Sequence, residues 1–148
     1  MSLQVKFKKL DPAALLPTYG SAGAAGADLY ACPSGAPVTI APGETAFIHT
    51  GLAGAIPAGY AGLVHARSGL ASKRGLAPAN KVGVIDSDYR GEWMIALHNH
   101  GDVPQTVNPG DRVAQLLIVP VITPELVETD ELDETDRGAG GFGSTGIR

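Results

Sequence analysis

The sequence predicts an all-β fold: an antiparallel sandwich, jelly roll or barrel with one short helix and an extended C-terminal arm. Three observations carry that prediction. Short apolar or alternating stretches recur along the chain, each closed by Pro, Gly, Asn or Asp. Only one short stretch is a plausible helix. The chain ends in a glycine-rich segment with no apolar side to bury, preceded by a run of acids.

The elements follow in order. Leu3, Val5 and Phe7 alternate with polar residues, which fits a half-buried first strand. Val38 to Ile40 runs into the turn Ala41-Pro42-Gly43-Glu44. Thr45 to His49, Leu52 to Ile56 and Tyr60 to Ala66 read as further strands, with Pro57-Ala58-Gly59 between the last two. Ser68 is placed to cap a helix over Leu70 to Arg74, and Gly75 to end it. Val82 to Ile85 and Glu92 to His98 flank Asp86 to Gly91, which reads as a hairpin. Val113 to Val121 is an apolar run after the turn Asn108-Pro109-Gly110-Asp111, as expected of a buried strand. No internal repeat of fixed period and no dividing linker is evident.

Composition narrows the class. A chain of 148 residues can bury a single ordinary core. Its net charge of −4, with no basic stripe, argues against nucleic acid as a partner. The acids gather between Glu125 and Asp136, which reads as a solvated linker. Cys32 is alone, so no internal disulfide can form and a reducing compartment is expected. The charged start does not read as a signal peptide, and no apolar run reaches membrane-spanning length. A soluble, cytoplasmic chain with no membrane partner is expected.

Several constellations could carry chemistry. The C-terminal segment from Arg137 to Gly146 places five glycines around one aromatic ring, one arginine and two hydroxyls. Such a tail cannot hold itself folded, because ordering glycine is costly. It can close over a charged, planar ligand: Arg137 can grip phosphate, and Phe142 can stack on a ring. Ala25 to Ala31 combines small residues with the carboxylate of Asp28, most simply a turn-forming acid. Arg67-Ser68-Gly69 precedes the helix start and suits an anion, or simply caps the helix. Asp86, Asp88 and Tyr89 share one tight turn. One aspartate could be a general base toward water, or both could be turn formers. Gln115 lies within an apolar strand and requires a partner, backbone or ligand. His98 and His100 share a strand face, but no further ligand completes a zinc set. There is no P-loop pattern and no Ser-His-Asp set.

Taken in order, these segments resemble the five motifs of the trimeric dUTPases, bacterial type. Ala25 to Ala31 is similar to motif one, Arg67-Ser68-Gly69-Leu70 to motif two, and Gly83 to Gly91 to motif three. Gly110 to Gln115 is similar to motif four and Arg137 to Gly146 to motif five. The resemblance covers nearly the whole chain. It implies a jelly-roll-like barrel over residues 1–124 and an arm over 125–148 that closes over a neighbouring subunit's active site. It implies a homotrimer whose three sites are each built from all three chains.

The implied reaction is hydrolysis of dUTP to dUMP and pyrophosphate by water attack on the α-phosphorus, with Mg²⁺ as cofactor. That reaction limits uracil in DNA and supplies dUMP for thymidylate synthesis. Asp86, Gln115 and Arg137 are the implied catalytic residues. Substrate binding is carried over to Arg67, Ser68, Gly69, Asn80, Gly83, Ile85, Tyr89, Met94, Phe142, Gly143, Ser144 and Thr145. Asp28 is implied to hold the metal through water. Two alternatives remain at this point: a dCTP deaminase of the same fold, which uses a glutamate base where this chain has Asp86, and a non-catalytic trimeric nucleotide-binding module.

Overall fold

The computed structural model describes residues 3–144 and Gly146. Among the described residues eleven strands build three antiparallel sheets, with one helix beside them. In chain order the elements are β1 (Lys6–Lys9), β2 (Thr18–Tyr19), β3 (Ala27–Tyr30), β4 (Val38–Ile40), β5 (Thr45–Ala55), β6 (Tyr60–His65), α1 (Ser68–Arg74), β7 (Leu76–Pro78), β8 (Gly83–Ile85), β9 (Glu92–Asn99), β10 (Gln105–Val107) and β11 (Arg112–Pro120). One sheet runs β1-β5-β9-β7 and the other main sheet β2-β3-β11-β6-β8; β10 and β4 form a two-stranded ribbon. The architecture is the expected jelly-roll-like, nearly all-β one.

One apolar cluster joins all three sheets. Leu29, Val64, Val113 and Leu116 come from the five-stranded sheet, Ile48, Leu76, Trp93, Ile95 and Leu97 from the four-stranded sheet, and Ile40 and Val107 from the ribbon. The alternation of β9 shows the cause: Trp93, Ile95, Leu97 and Asn99 point inward, while the residues between them are partly or fully exposed. Trp93 sits under Gly54, where a Cβ would stand 2.4 Å from the indole, and the Phe7 ring meets it edge-on at 5.0 Å. Asn99 is fully buried and fully used. Its amide donates to the carbonyls of Ile40 (2.9 Å) and Val103 (2.8 Å), and its oxygen accepts from Gly101 N–H at 2.9 Å.

Four expectations are corrected. Thr45–His49 and Leu52–Ile56 were expected as two strands, but β5 runs on through Thr50 and Gly51. The register slips between His49 and Ala53, and Gly51 takes φ +71, a conformation favouring glycine. Side chains replace the lost ladder bonds: Thr50 Oγ1 donates to the Trp93 carbonyl at 2.6 Å and accepts from Leu52 N–H at 3.2 Å. Secondly, the stretches around Asp86–Gly91 do not form a hairpin. β8 pairs with β6 and β9 pairs with β5 and β7, so the turn passes from one sheet to the other. Thirdly, Ser68 is the first helical residue and not the cap; Arg67 occupies the cap position, and Gly75 ends the helix at φ 65 as expected. The first strand also begins later than the alternation at Leu3 and Val5 implied, at Lys6.

Candidate functional site

The expected site residues fall into three groups. The first surrounds a cavity of about 340 Å³ between the two main sheets. Asn80, Gly83, Ile85, Asp86, Tyr89 and Met94 all line it, together with Phe47, Glu92 and Trp93. Its floor is built by local chemistry. Lys81 takes φ +65, its N–H donating to the Pro78 carbonyl at 3.0 Å, and this tight turn delivers the chain into β8. Gly83 packs so closely that a Cβ would lie 3.3 Å from both the Asn80 amide and Val64. β8 is the last strand of its sheet, paired with β6 on one side. Its other edge offers backbone donors and acceptors that a flat heterocycle can read. Tyr89 is held over Gly91, its hydroxyl donating to the Glu92 carbonyl at 3.0 Å. The cavity is of the size and mixed polarity of a small-ligand pocket.

The second group lies on the five-stranded sheet. β11 runs between β3 and β6, and Gln115 is in register with Asp28 on one side and His65 on the other. This row brings Asp28, Gln115 and the Arg67-Ser68-Gly69 entry to α1 together. Gln115 Nε2 donates to the Ala66 carbonyl at 2.9 Å, so its expected partner is backbone. Asp28 stands on a strand rather than in a turn. Its Oδ1 accepts from Arg67 Nε at 2.8 Å and its Oδ2 from Arg112 at 3.4 Å. Arg67, Arg74 and Arg112 border a cleft of about 200 Å³ that also includes Asp111. Arg74 is held there by donating to two neutral acceptors, the Gln105 side-chain oxygen at 2.9 Å and the Thr106 carbonyl.

The third group is the arm. After β11 the described residues of 121–146 carry neither strand nor helix and are almost wholly exposed. Arg137 Nε donates to the Gly140 carbonyl at 2.8 Å, and short turns link Gly138 to Thr135 and Ser144 to Gly141. Phe142 takes φ +52 and is completely exposed, so its ring covers nothing among the described residues. Thr145 lies outside the described residues.

The histidines form a separate pair. His98 and His100 stack edge to face at 4.5 Å, and His98 Nδ1 is 2.9 Å from the Thr45 hydroxyl. Desolvation, then the charges of His98 and Lys81, lowers His100 from its ordinary value of 6.5. Among the described residues no three His, Cys, Asp or Glu side chains gather as a metal set. No helix among them is long and apolar enough to cross a membrane.

Sequence reasoning passed over Glu92, Phe47 and Arg112. Glu92 opens β9 immediately after the turn that carries Asp86, a position that by itself does not point to its distant partners.

Residues 13–146 match the dUTPase family model. The chain belongs to the dUTPase family. It is 52% identical over 146 residues to the deoxyuridine 5'-triphosphate nucleotidohydrolase of Syntrophotalea carbinolica, covering 99% of each chain. It is 51% identical over 148 residues to the protein of that name from Desulfitobacterium hafniense, covering 99% of this chain and 97% of the relative. Among solved structures, the dUTPase of Staphylococcus bacteriophage 80alpha with dUpNHpp superposes with a TM-score of 0.89 at 31% identity, over 97% of this chain and 99% of that one. An Asp-to-Asn mutant dUTPase from phage phi11 of S. aureus, described as revealing the coordination of a structural Mg(II) ion, gives a TM-score of 0.80 at 29% identity, over 88% of this chain and 99% of that one. These likenesses do not favour the deaminase or the non-catalytic module.

Proposed function

We infer that this chain hydrolyses dUTP to dUMP and pyrophosphate. The observation that carries the reading is the cavity between the sheets, which gathers a carboxylate, an aromatic ring and a strand edge in one nucleoside-sized space. Uracil is read by the free edge of β8 near Gly83 and Ile85, with Asn80 beside it. Tyr89 packs against the deoxyribose, and Met94 closes the wall. Asp86 takes a proton from water as the water oxygen bonds to the α-phosphorus. The bond from that phosphorus to the bridging oxygen breaks, and pyrophosphate leaves.

Arg67, Ser68, Gly69 and Gln115 bind phosphate oxygens on the second group of residues, and Arg137, Phe142, Gly143, Ser144 and Thr145 close over the nucleotide from the arm. Phosphate group, cavity and arm stand on separate parts of one chain, which supports a homotrimer in which three subunits share each site.

Mg²⁺ fits this donor set as a passenger of the triphosphate. A carboxylate has about four acceptor positions, and Asp28 uses one strong and one long contact on its two arginines. The positions left can hold metal-bound water. Bound there, Mg²⁺ neutralises charge on the phosphates and keeps several of its own waters. Arg67 and Gln115 align the chain of phosphates, and Asp86 holds the abstracted proton.

Incubation of the purified protein with each deoxynucleoside triphosphate and Mg²⁺, with products resolved by anion exchange, tests the reading. dUMP and pyrophosphate from dUTP alone are expected. Deoxyuridine products from dCTP, or no dUMP from dUTP, would overturn it.

A further inference from the structure

Residues 86–91 carry Asp86 and Tyr89 from the five-stranded sheet to the four-stranded one, and no ladder joins β8 to β9. Within the turn, Tyr89 N–H reaches the Asp86 carbonyl at 3.2 Å, and Arg90 bonds the carbonyls of Ser87 and Tyr89 at 2.7 and 3.0 Å. These bonds shape the turn but do not fix it to the sheet. Glu92 does. Its carbonyl accepts the Tyr89 hydroxyl at 3.0 Å. Its carboxylate accepts Gly51 N–H at 2.9 Å through Oε1, and Oε2 lies 2.9 Å from His49 Nδ1. An ionised carboxylate only accepts, so His49 donates. Both donors come from the place where β5 slips register and its regular ladder is interrupted. The same Glu92 lines the cavity with Asp86 and Tyr89.

We propose that Glu92 is a positioning residue for the reaction. Its carboxylate locks the β5 slip to the first residue of β9 and so fixes where Asp86 and Tyr89 stand in the cavity. The assignment rests on the roles given above to those two residues. A displacement of about 1 Å at a reacting group can cost on the order of 10²-fold in rate, so the loss of this lock is read in turnover measured where the variant is still folded.

Four proteins are compared: wild type, Glu92→Ala, Glu92→Gln and Glu92→Asp. Turnover of dUTP and of UTP is measured beside melting temperature at fixed concentration. Glu92→Ala is expected to lower kcat by about 10- to 100-fold and to narrow the preference for dUTP over UTP, with a modest fall in melting temperature from the stranded Gly51 N–H that leaves the protein folded at the assay temperature. Glu92→Gln is expected to keep both, since its amide oxygen accepts from Gly51 and its NH₂ donates to the other tautomer of His49. Glu92→Asp is too short to reach both partners. It is expected to lose kcat as alanine does, and it decides the matter if the alanine variant fails to fold. The clamp is overturned if the truncated variants keep kcat within about twofold, if glutamine loses as much as alanine, or if kcat falls only in step with melting temperature. An inactive wild type overturns the hydrolase reading and the clamp with it. An active wild type beside indifferent Glu92 variants overturns the clamp alone.

Discussion

Asp28 Oδ1 accepts the Nε hydrogen of Arg67 at 2.8 Å, at the end of the row in which Gln115 faces Asp28 on one side and His65 on the other. The pair aims a guanidinium that would otherwise swing. It leaves free the two terminal nitrogens of Arg67, proposed above to bind phosphate, and part of the Asp28 carboxylate, proposed to hold metal-bound water. Asp28→Asn should then weaken both functions at once. A charge-assisted hydrogen bond contributes about 1.5–3 kcal/mol, so apparent affinity for Mg·dUTP should fall about tenfold or more. Steady-state titrations of dUTP at several Mg²⁺ concentrations measure this. Unchanged KM and unchanged Mg²⁺ dependence would remove Asp28 from both tasks. Chelation with EDTA should abolish most wild-type activity without altering the oligomer.

Asp86 lines the cavity at the start of the crossing turn. Asp86→Asn keeps the shape and removes the proposed base. Turnover should drop by roughly 10²- to 10⁴-fold while nucleotide binding by calorimetry stays close to wild type. Near-normal turnover would assign the base elsewhere.

Asn99 supports the fold below the site. Its side chain makes three hydrogen bonds in a fully buried position. Asn99→Ala strands the buried Ile40 carbonyl at a cost of about 1–3 kcal/mol, while Val103 and Gly101 are exposed and can turn to water. Chemical denaturation at fixed protein concentration should show a loss of about 1–3 kcal/mol. An unchanged midpoint would mean that water replaces the amide.

The sequence made some of this legible and hid the rest for physical reasons. Val38–Ile40 and the Gly75 helix end were plain because each depends on local chemistry: alternation in one case, a left-handed glycine in the other. Asp86, Tyr89, Asn80 and Gly83 could be named together because they lie within one stretch, and they do line one cavity. The crossing turn was misread as a hairpin because a turn signal gives no information on which strand each end will pair with. Glu92 was missed because its partners, Gly51 and His49, are about forty residues away and lie at a register slip. The short strands β2, β3, β7 and β10 were not marked as strands either. Tertiary pairing, not their own pattern, makes them extended.

The arm yields the last prediction. Among the described residues Phe142 is fully exposed, and the Arg137 side chain bonds the nearby Gly140 carbonyl. Ordering about ten such residues opposes closure by roughly 1–2 kcal/mol each, and only the full set of triphosphate contacts offsets that. The product dUMP should therefore close the arm poorly and leave readily. Removal of residues from Arg137 onward should leave a folded oligomer with little activity. If the arm completes a neighbour's site, mixing this truncated chain with Asp86→Asn subunits should restore activity. An intact Asp86 can then meet an intact arm supplied by another subunit. Mixed oligomers, verified by native mass spectrometry, should recover a measurable fraction of wild-type turnover. Verified mixing without any recovery would mean that each arm closes over its own chain's cavity.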